Sequence, residues 1–387
     1  MGYARVRRRP GVRFLAAPTA VIAVCAMAGC GIAGPGAGRG LEHITILSYN
    51  VQNLFDATAD GSEYPEFDPA RGGWTAEAAE AKAARIARVI RRADRGGPDV
   101  LCLQEVEHGR VVAELARDHL RWAGYRYAAA SETPGSAVEV ALLSRLPIAA
   151  VRVHAPVHSR LRTGVTLRPV LEVRLETAGA PLYLFVNHWK SKSGGARETE
   201  PARRAAASVV ARRMRSIEAG DPGAEIVVCG DLNESPRAFD EAGRAYPTAL
   251  MPLGGGNTDS SRRPALRALR VSGSRAAVRA AAACEAAAGT TAAGAAVLYS
   301  PWGETDAAGS YYFRGGWHRL DHTLVSAGLL DPEGWELASF EVVRPRFATT
   351  EDGRPIASRR PGGGGGFGEG GYSDHLPVML TLKRRAE

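Results

Sequence analysis

The chain has 387 residues, 45% of them hydrophobic and 23% charged, with a net charge of +8. That balance excludes a disordered or collagen-like chain and leaves room for one large domain or two ordinary ones. The basic excess does not by itself argue for a polyanionic partner. Arg5, Arg7, Arg8, Arg9 and Arg13 lie in the first 29 residues, which hold no acid, and without that stretch the charge is +3.

The N-terminus reads as a signal sequence. A basic segment, Arg5 to Arg13, precedes an apolar one, Phe14 to Ala28, which is too short to span a bilayer as a helix. Met27-Ala28-Gly29-Cys30 follows, small residues leading to a cysteine. This resembles a bacterial lipobox, in which Cys30 carries the lipid. Simple secretion with cleavage near Ala28 is the alternative. The expected organisation is residues 1–30 as signal, 31–40 as a glycine-rich tether, and 41–387 as a single domain. Of the other cysteines, Cys102 and Cys229 sit in apolar runs and read as buried thiols, and Cys284 lies in an alanine-rich stretch. No cysteine pair has metal-site spacing.

Elements follow in chain order. His43 to Tyr49 alternates apolar and polar residues and predicts a strand. Thr75 can cap a helix reaching about Asp94, with Ile86, Val89 and Ile90 on one face. Val100 to Leu103 predicts a buried strand, and about Gly109 to Leu120 a second helix. Strands are expected at Val138–Leu143, Ile148–Val153, Val165–Leu175 and Leu182–Asn187. A helix from about Pro201 to Ile217 follows; its Arg203, Arg204, Arg212, Arg213 and Arg215 read as a solvated face. A strand at Glu225–Cys229 comes next. Short strands in groups, with helices between them, predict an α+β layered domain. Residues 253–296 look like an insertion that buries little, helical near Ala276 to Ala288. Residues 359–371 read as a mobile glycine-rich loop.

Six segments place acids, amides or histidines at strand ends, where a rigid scaffold presents them to a loop-lined site. Asn50 ends the first strand; an Asx turn is its ordinary alternative. Glu105 follows the apolar strand Val100–Leu103, and an ionised carboxylate there is costly unless paired or metal-bound. His188 follows an apolar strand and has Lys190 and Lys192 beside it. Asp231 and Asn233 stand two apart after Ile226–Gly230, which directs both side chains to one side in extended chain. Asp321 enters a strand. Asp374 and His375 enter the last one, and an imidazole held by a carboxylate is suited to take a proton from water.

Together, Gln104-Glu105, Gly230-Asp231-Leu232-Asn233 and Ser373-Asp374-His375-Leu376-Pro377, in this order, resemble the endonuclease/exonuclease/phosphatase superfamily across about Ile44 to Leu382. The resemblance implies a four-layer αββα sandwich of two packed mixed or antiparallel sheets with helices on both outer faces. It implies Mg²⁺, with Mn²⁺ or Ca²⁺ as alternatives, on Glu105, with Asn50 and Asp374 beside it. His188 is then the phosphate-binding histidine, and Asp231 and Asn233 orient nucleophile and phosphate. Asp321 aligns the catalytic base, His375. Glu132 or Glu139 is the carboxylate that supports His188 in nuclease members. Gln52 departs from nuclease members that carry an acid there. The expected protein is an exported, lipid-anchored, monomeric nuclease. A phospholipid phosphodiesterase or sugar-phosphate phosphatase shares the same residues. A non-catalytic surface lipoprotein would not require Glu105, Asp231 and His375.

Overall fold

The computed structural model describes residues 42–157, 167–254, 269–287, 296–359 and 370–384, together with the pair Cys25–Ala26. The expected signal, lipid site and tether lie outside these residues apart from that pair. Most of the glycine-rich loop also lies outside them. In chain order the elements are β1 (Cys25–Ala26), β2 (His43–Leu54), α1 (Ala76–Ala93), β3 (Val100–Val106), α2 (Gly109–Glu114), β4 (Tyr127–Ala130), β5 (Glu139–Ser144), β6 (Ile148–His154), β7 (Val170–Leu175), β8 (Leu182–His188), α3 (Ala196–Glu218), β9 (Glu225–Asp231), α4 (Ala238–Glu241), β10 (Leu250–Pro252), β11 (Leu269–Ser272), α5 (Arg275–Ala287), β12 (Ala296–Tyr299), β13 (Tyr311–Phe313), β14 (Gly316–His318), β15 (Asp321–Val325), β16 (Trp335–Val342) and β17 (Val378–Arg384).

Two sheets form, ordered β1-β4-β5-β3-β2-β17-β16 and β10-β11-β12-β15-β9-β8-β7-β6, and β13–β14 is a separate hairpin. Both sheets are mixed. β2 runs parallel to β3 and β8 to β9, whereas β17 pairs antiparallel to β2 and β15 to β9.

Alternation along the central strands explains the layering. Leu101 and Leu103 pack on Ile86, Val89 and Ile90 of α1, while Cys102 between them faces the other sheet. Ile226 and Val228 pack on Val209, Val210 and Met214 of α3, while Val227 and Cys229 face inward. Each central strand therefore buries both faces, which requires the continuous apolar runs seen in the sequence. A side chain such as Leu101 contributes about 1.5–3 kcal/mol when buried in this way. The result is helix, sheet, sheet, helix, the expected αββα order.

Helix termini follow local chemistry. The Thr75 side chain accepts from Ala78 N at 3.2 Å and starts α1. The second helix widens into a π turn at Leu115–His119. α3 begins five residues before the expected Pro201, which it accommodates inside. The arginines of α3 do not form one solvated face. Arg203 is fully buried between Glu200 and Glu234, and Arg213 is paired with Glu172. The 253–296 stretch also buries more than its composition suggests. β11 lies parallel between β10 and β12, with Leu269 and Val271 in the core, and Val278 of α5 is wholly buried. A few well-spaced apolar residues suffice, and the average over an alanine-rich segment hides them.

Candidate active site

The inward-facing alternation that builds the core also builds the site. Ile44 and Ile46 of β2 line the inter-sheet core, and two steps of two further on the same face reaches Asn50. Leu182, Leu184 and Val186 lead to His188, Val227 and Cys229 to Asp231, and Val325 back to Asp321. Four polar side chains thus converge at one end of the sandwich, where the apolar filling stops. Asn50 spans the sheets: its Nδ2 donates to Asp231 Oδ2 at 3.1 Å and to Glu105 Oε1 at 3.2 Å.

Glu105 breaks the alternation. Its φ is 62°, and the β3–β5 register shifts between Gln104 and Val106. Left-handed backbone costs a non-glycine residue roughly 1–3 kcal/mol, and the bulge re-aims the carboxylate toward Asn50. Asn233, φ 49°, is another such residue. Its main-chain N–H donates to Asp231 Oδ1 at 2.9 Å and its Nδ2 to Asp231 Oδ2 at 3.0 Å. Gly230, in β9 beside β8, is obligatory: a Cβ there would lie 2.0 Å from the Asn187 carbonyl oxygen.

His375 is buried, and its Nδ1 lies 2.8 Å from Asp321 Oδ2, while Nε2 lies 3.9 Å from Asp231 Oδ2. Ser310 Oγ also donates to Asp321 Oδ2, at 2.5 Å. The Tyr311 ring lies over the imidazole, with centroids 4.6 Å apart. The turn that carries His375 is held from below. Gln52 Oε1 accepts from Asp374 N at 3.0 Å and from Ser358 N at 2.6 Å. Ser373 Oγ donates to the Asn50 carbonyl at 2.7 Å, and the wholly buried Lys82 of α1 donates to the Tyr372 carbonyl at 2.7 Å. Where nuclease members have an acid, Gln52 is a fastener.

Two expectations for His188 resolve differently. Glu139 accepts from Thr133 N at 2.8 Å and is hydrogen-bonded by Ser131, while Glu132 accepts from Gly109 N at 2.7 Å. Neither has a hydrogen bond to His188, whose buried Nδ1 has no partner among the described residues. Instead Arg168 Nη1 lies 2.8 Å from His188 Nε2 and donates to the Trp189 carbonyl at 3.0 Å. Arginine has no acceptor, so Nε2 accepts and the ring proton sits on Nδ1. Sequence reasoning missed Arg168, Lys82, Ser310 and Tyr311. Only the aromatic run Tyr311-Tyr312-Phe313 ahead of Asp321 offered a signal.

Charge and burial set the protonation states. Burial disfavours the His375 cation, but Asp321, Asp231 and Asp374 outweigh it and hold His375 well above the usual histidine range. Burial, then Arg168, His375 and Lys190, keep His188 well below it and therefore neutral. Burial pushes Asp231 up to about 7, with Asp321 and Glu105 adding to the effect. Burial and then Asp374 raise Glu105. Burial followed by the same three acids, Asp374, Asp231 and Glu105, pushes the Tyr311 phenol up to about 12, so it stays protonated.

Asp374 raises the electrostatic cost of an ionised Glu105, and no arginine or lysine is bonded to either carboxylate among the described residues. The Asn50 amide oxygen accepts from Gln52 N at 3.0 Å and its Nδ2 faces Glu105, so Glu105 and Asp374 supply the carboxylate oxygens, the donor type that fits a hard divalent cation, with Asn50 beside them. A further group of possible ligands, Asp56, Glu107 and His108, lies on the loops after β2 and β3, where Arg110 already donates to Asp56 at 2.7 Å.

A family model described as the Endonuclease/Exonuclease/phosphatase family matches residues 45–242. Among solved structures, truncated Caenorhabditis elegans TDP2 is 18% identical, with a TM-score of 0.48, over 88% of this chain and 97% of that one. An endonuclease/exonuclease/phosphatase from Beutenbergia cavernae is 16% identical, with a TM-score of 0.48, over 89% and 72%. A family protein from Bacteroides thetaiotaomicron is 17% identical, with a TM-score of 0.46, over 89% and 95%. No curated protein matches.

Proposed function

Because the chain belongs to the endonuclease/exonuclease/phosphatase family, whose members are phosphoester hydrolases, we propose that it is a divalent-metal-dependent phosphodiesterase that cleaves nucleic acid outside the cell, anchored through a lipid on Cys30. The observation that carries the hydrolytic part is the buried Asp321–His375 pair at 2.8 Å, with His375 Nε2 directed at Asp231.

The chemistry follows from that geometry. Asp321 accepts the Nδ1 proton, fixing the tautomer that leaves Nε2 free to take a proton from water. Asp231 and Asn233 hold the water beside Nε2, in line with the phosphorus. The Asn50 and Asn233 amides and Arg168 donate to the phosphoryl oxygens as negative charge builds on them. His188 completes this wall once Arg168 turns to the phosphate and the ring proton moves from Nδ1 to Nε2, which then donates to a phosphoryl oxygen. Glu105, Asn50 and Asp374 would hold Mg²⁺, with Mn²⁺ or Ca²⁺ as alternatives, which when bound supplies Lewis-acid polarisation of the phosphoryl group.

The test uses purified full-length protein with Mg²⁺ against plasmid DNA, sphingomyelin vesicles and bis(p-nitrophenyl) phosphate. DNA and the small diester should be cleaved, and both activities should disappear with chelator and with His375→Ala. Turnover of lipid without DNA would sink the nuclease reading. Absence of any His375-dependent turnover would sink the enzyme reading.

A further inference from the structure

Cys102 and Cys229 take no part in the chemistry above. Both are wholly buried in the inter-sheet core, and they come from opposite sheets, Cys102 from β3 and Cys229 from β9. Alternation puts them there: Leu101 and Leu103 face α1, and Ile226 and Val228 face α3, so each cysteine is turned toward the partner sheet. Both are free thiols in the structure, and burial, followed by the neighbouring Cys229 thiol, holds the Cys102 thiol well above the usual range. The two strands face each other closely enough that some Cα atoms of β3 and β9 lie within 8 Å, and a disulfide requires Cα atoms about 4.4–6.8 Å apart. Cys284, by contrast, is exposed and distant in sequence from both.

We propose that Cys102 and Cys229 form a disulfide that joins the two sheets. The oxidising setting that it needs is the one implied by the signal-like N-terminus. The oxidant is a thiol–disulfide exchange partner, a protein disulfide or glutathione disulfide. One cysteine thiolate attacks the oxidant's disulfide and displaces a thiolate, giving a mixed disulfide. The second cysteine thiolate then displaces the other oxidant sulfur. The S–S bond forms, the oxidant's S–S bond breaks, two electrons pass to the oxidant, and its two sulfurs take up the two protons. Neither cysteine is accessible in the folded chain, so the exchange precedes closure of the sandwich, and closure then shields the bond from reduction. The cross-link stands three residues before Glu105 and two before Asp231. It ties together the two strands whose ends deliver these acids, and it closes a loop of more than 100 residues.

The experiment is a disulfide map. Full-length protein from the exported fraction of a bacterial host is alkylated under denaturing, non-reducing conditions, digested and analysed by mass spectrometry. A linked Cys102–Cys229 peptide pair is expected, lost after dithiothreitol, with Cys284 alkylated. Oxidative refolding of denatured chain in glutathione disulfide should give the same pair. Reduction should lower the thermal midpoint by on the order of 5 °C or more. Free alkylated Cys102 and Cys229 in the exported protein, or either one linked to Cys284, would overturn the proposal. The map involves no substrate, so its failure leaves the phosphodiesterase reading untouched.

Discussion

His375 owes its charge state to three acids, only one of which touches it. Asp321 is bonded to Nδ1, while Asp231 and Asp374 act through space, and together they overcome a burial that disfavours the cation. A general base must be neutral to work, so activity should rise with pH, with its acid limb above the ordinary histidine value of about 6.5. Asp321→Asn removes the bonded acid. The limb should then move to lower pH while kcat falls ~10²–10⁴-fold. Profiles of kcat/KM against pH, with circular dichroism to confirm folding, check both; an unmoved limb would show that another group sets it. Asp374, the sequence neighbour of His375, does not bond the ring, because adjacent side chains on an extended segment diverge. The distant Asp321 was legible only through the family pattern. Arg168 was not legible at all: nothing in Thr166-Leu167-Arg168-Pro169 marks an arginine that will meet a histidine 20 positions on.

At the scale of elements, the turn Tyr372–Pro377 is better held than the glycine run before it suggests. Gln52 from β2, Lys82 from α1 and Ser310 ahead of β13 each bond its backbone. Lys82 lies one turn before Ile86, on the apolar face of α1, where a lysine would ordinarily be expected to reach solvent. Burial lowers it to about 7, while Asp374 and then Glu105 pull the other way. Lys82→Met keeps the volume and removes the donor and charge. It should cut kcat about 10-fold by loosening the placement of Asp374 and His375, with little change in the urea midpoint; steady-state kinetics beside equilibrium unfolding separate the two effects. The β7–α3 contact offers a stability counterpart. Burial raises Glu172, but bonds from Arg213 and His154 outweigh it and bring it down to about 2. A carboxyl lowered on folding stabilises above its ordinary value of 4.5, and that contribution fades as pH falls toward 2. Glu172→Gln should therefore cost about 1–2 kcal/mol at pH 7, allowing for solvent screening, and nothing near pH 2. Urea titrations across that range measure it.

For the whole molecule, the strand count and apolar runs made the layering legible, because strands buried on both faces leave a strong mark. What the pattern could not say was which face of each strand meets which layer. Alternation gives two faces without labelling them, so Asn50 and Asp231 were separately visible as strand-end residues but not as partners. The bulge that turns Glu105 out of alternation left no mark either, since its cause is backbone geometry rather than residue type. The alanine-rich stretch was misjudged because β11 needs only Leu269 and Val271 to join the sheet.

The bond from Asn50 to Asp231 joins positions 181 residues apart, and each half of the site comes from a different sheet. No local fragment of this chain holds a working site. The site is then complete only once the two sheets dock, and an extended chain is chemically silent. Under the proposed reading of an exported nuclease, the producing cell's own nucleic acid is protected by the order of folding, with no inhibitor required.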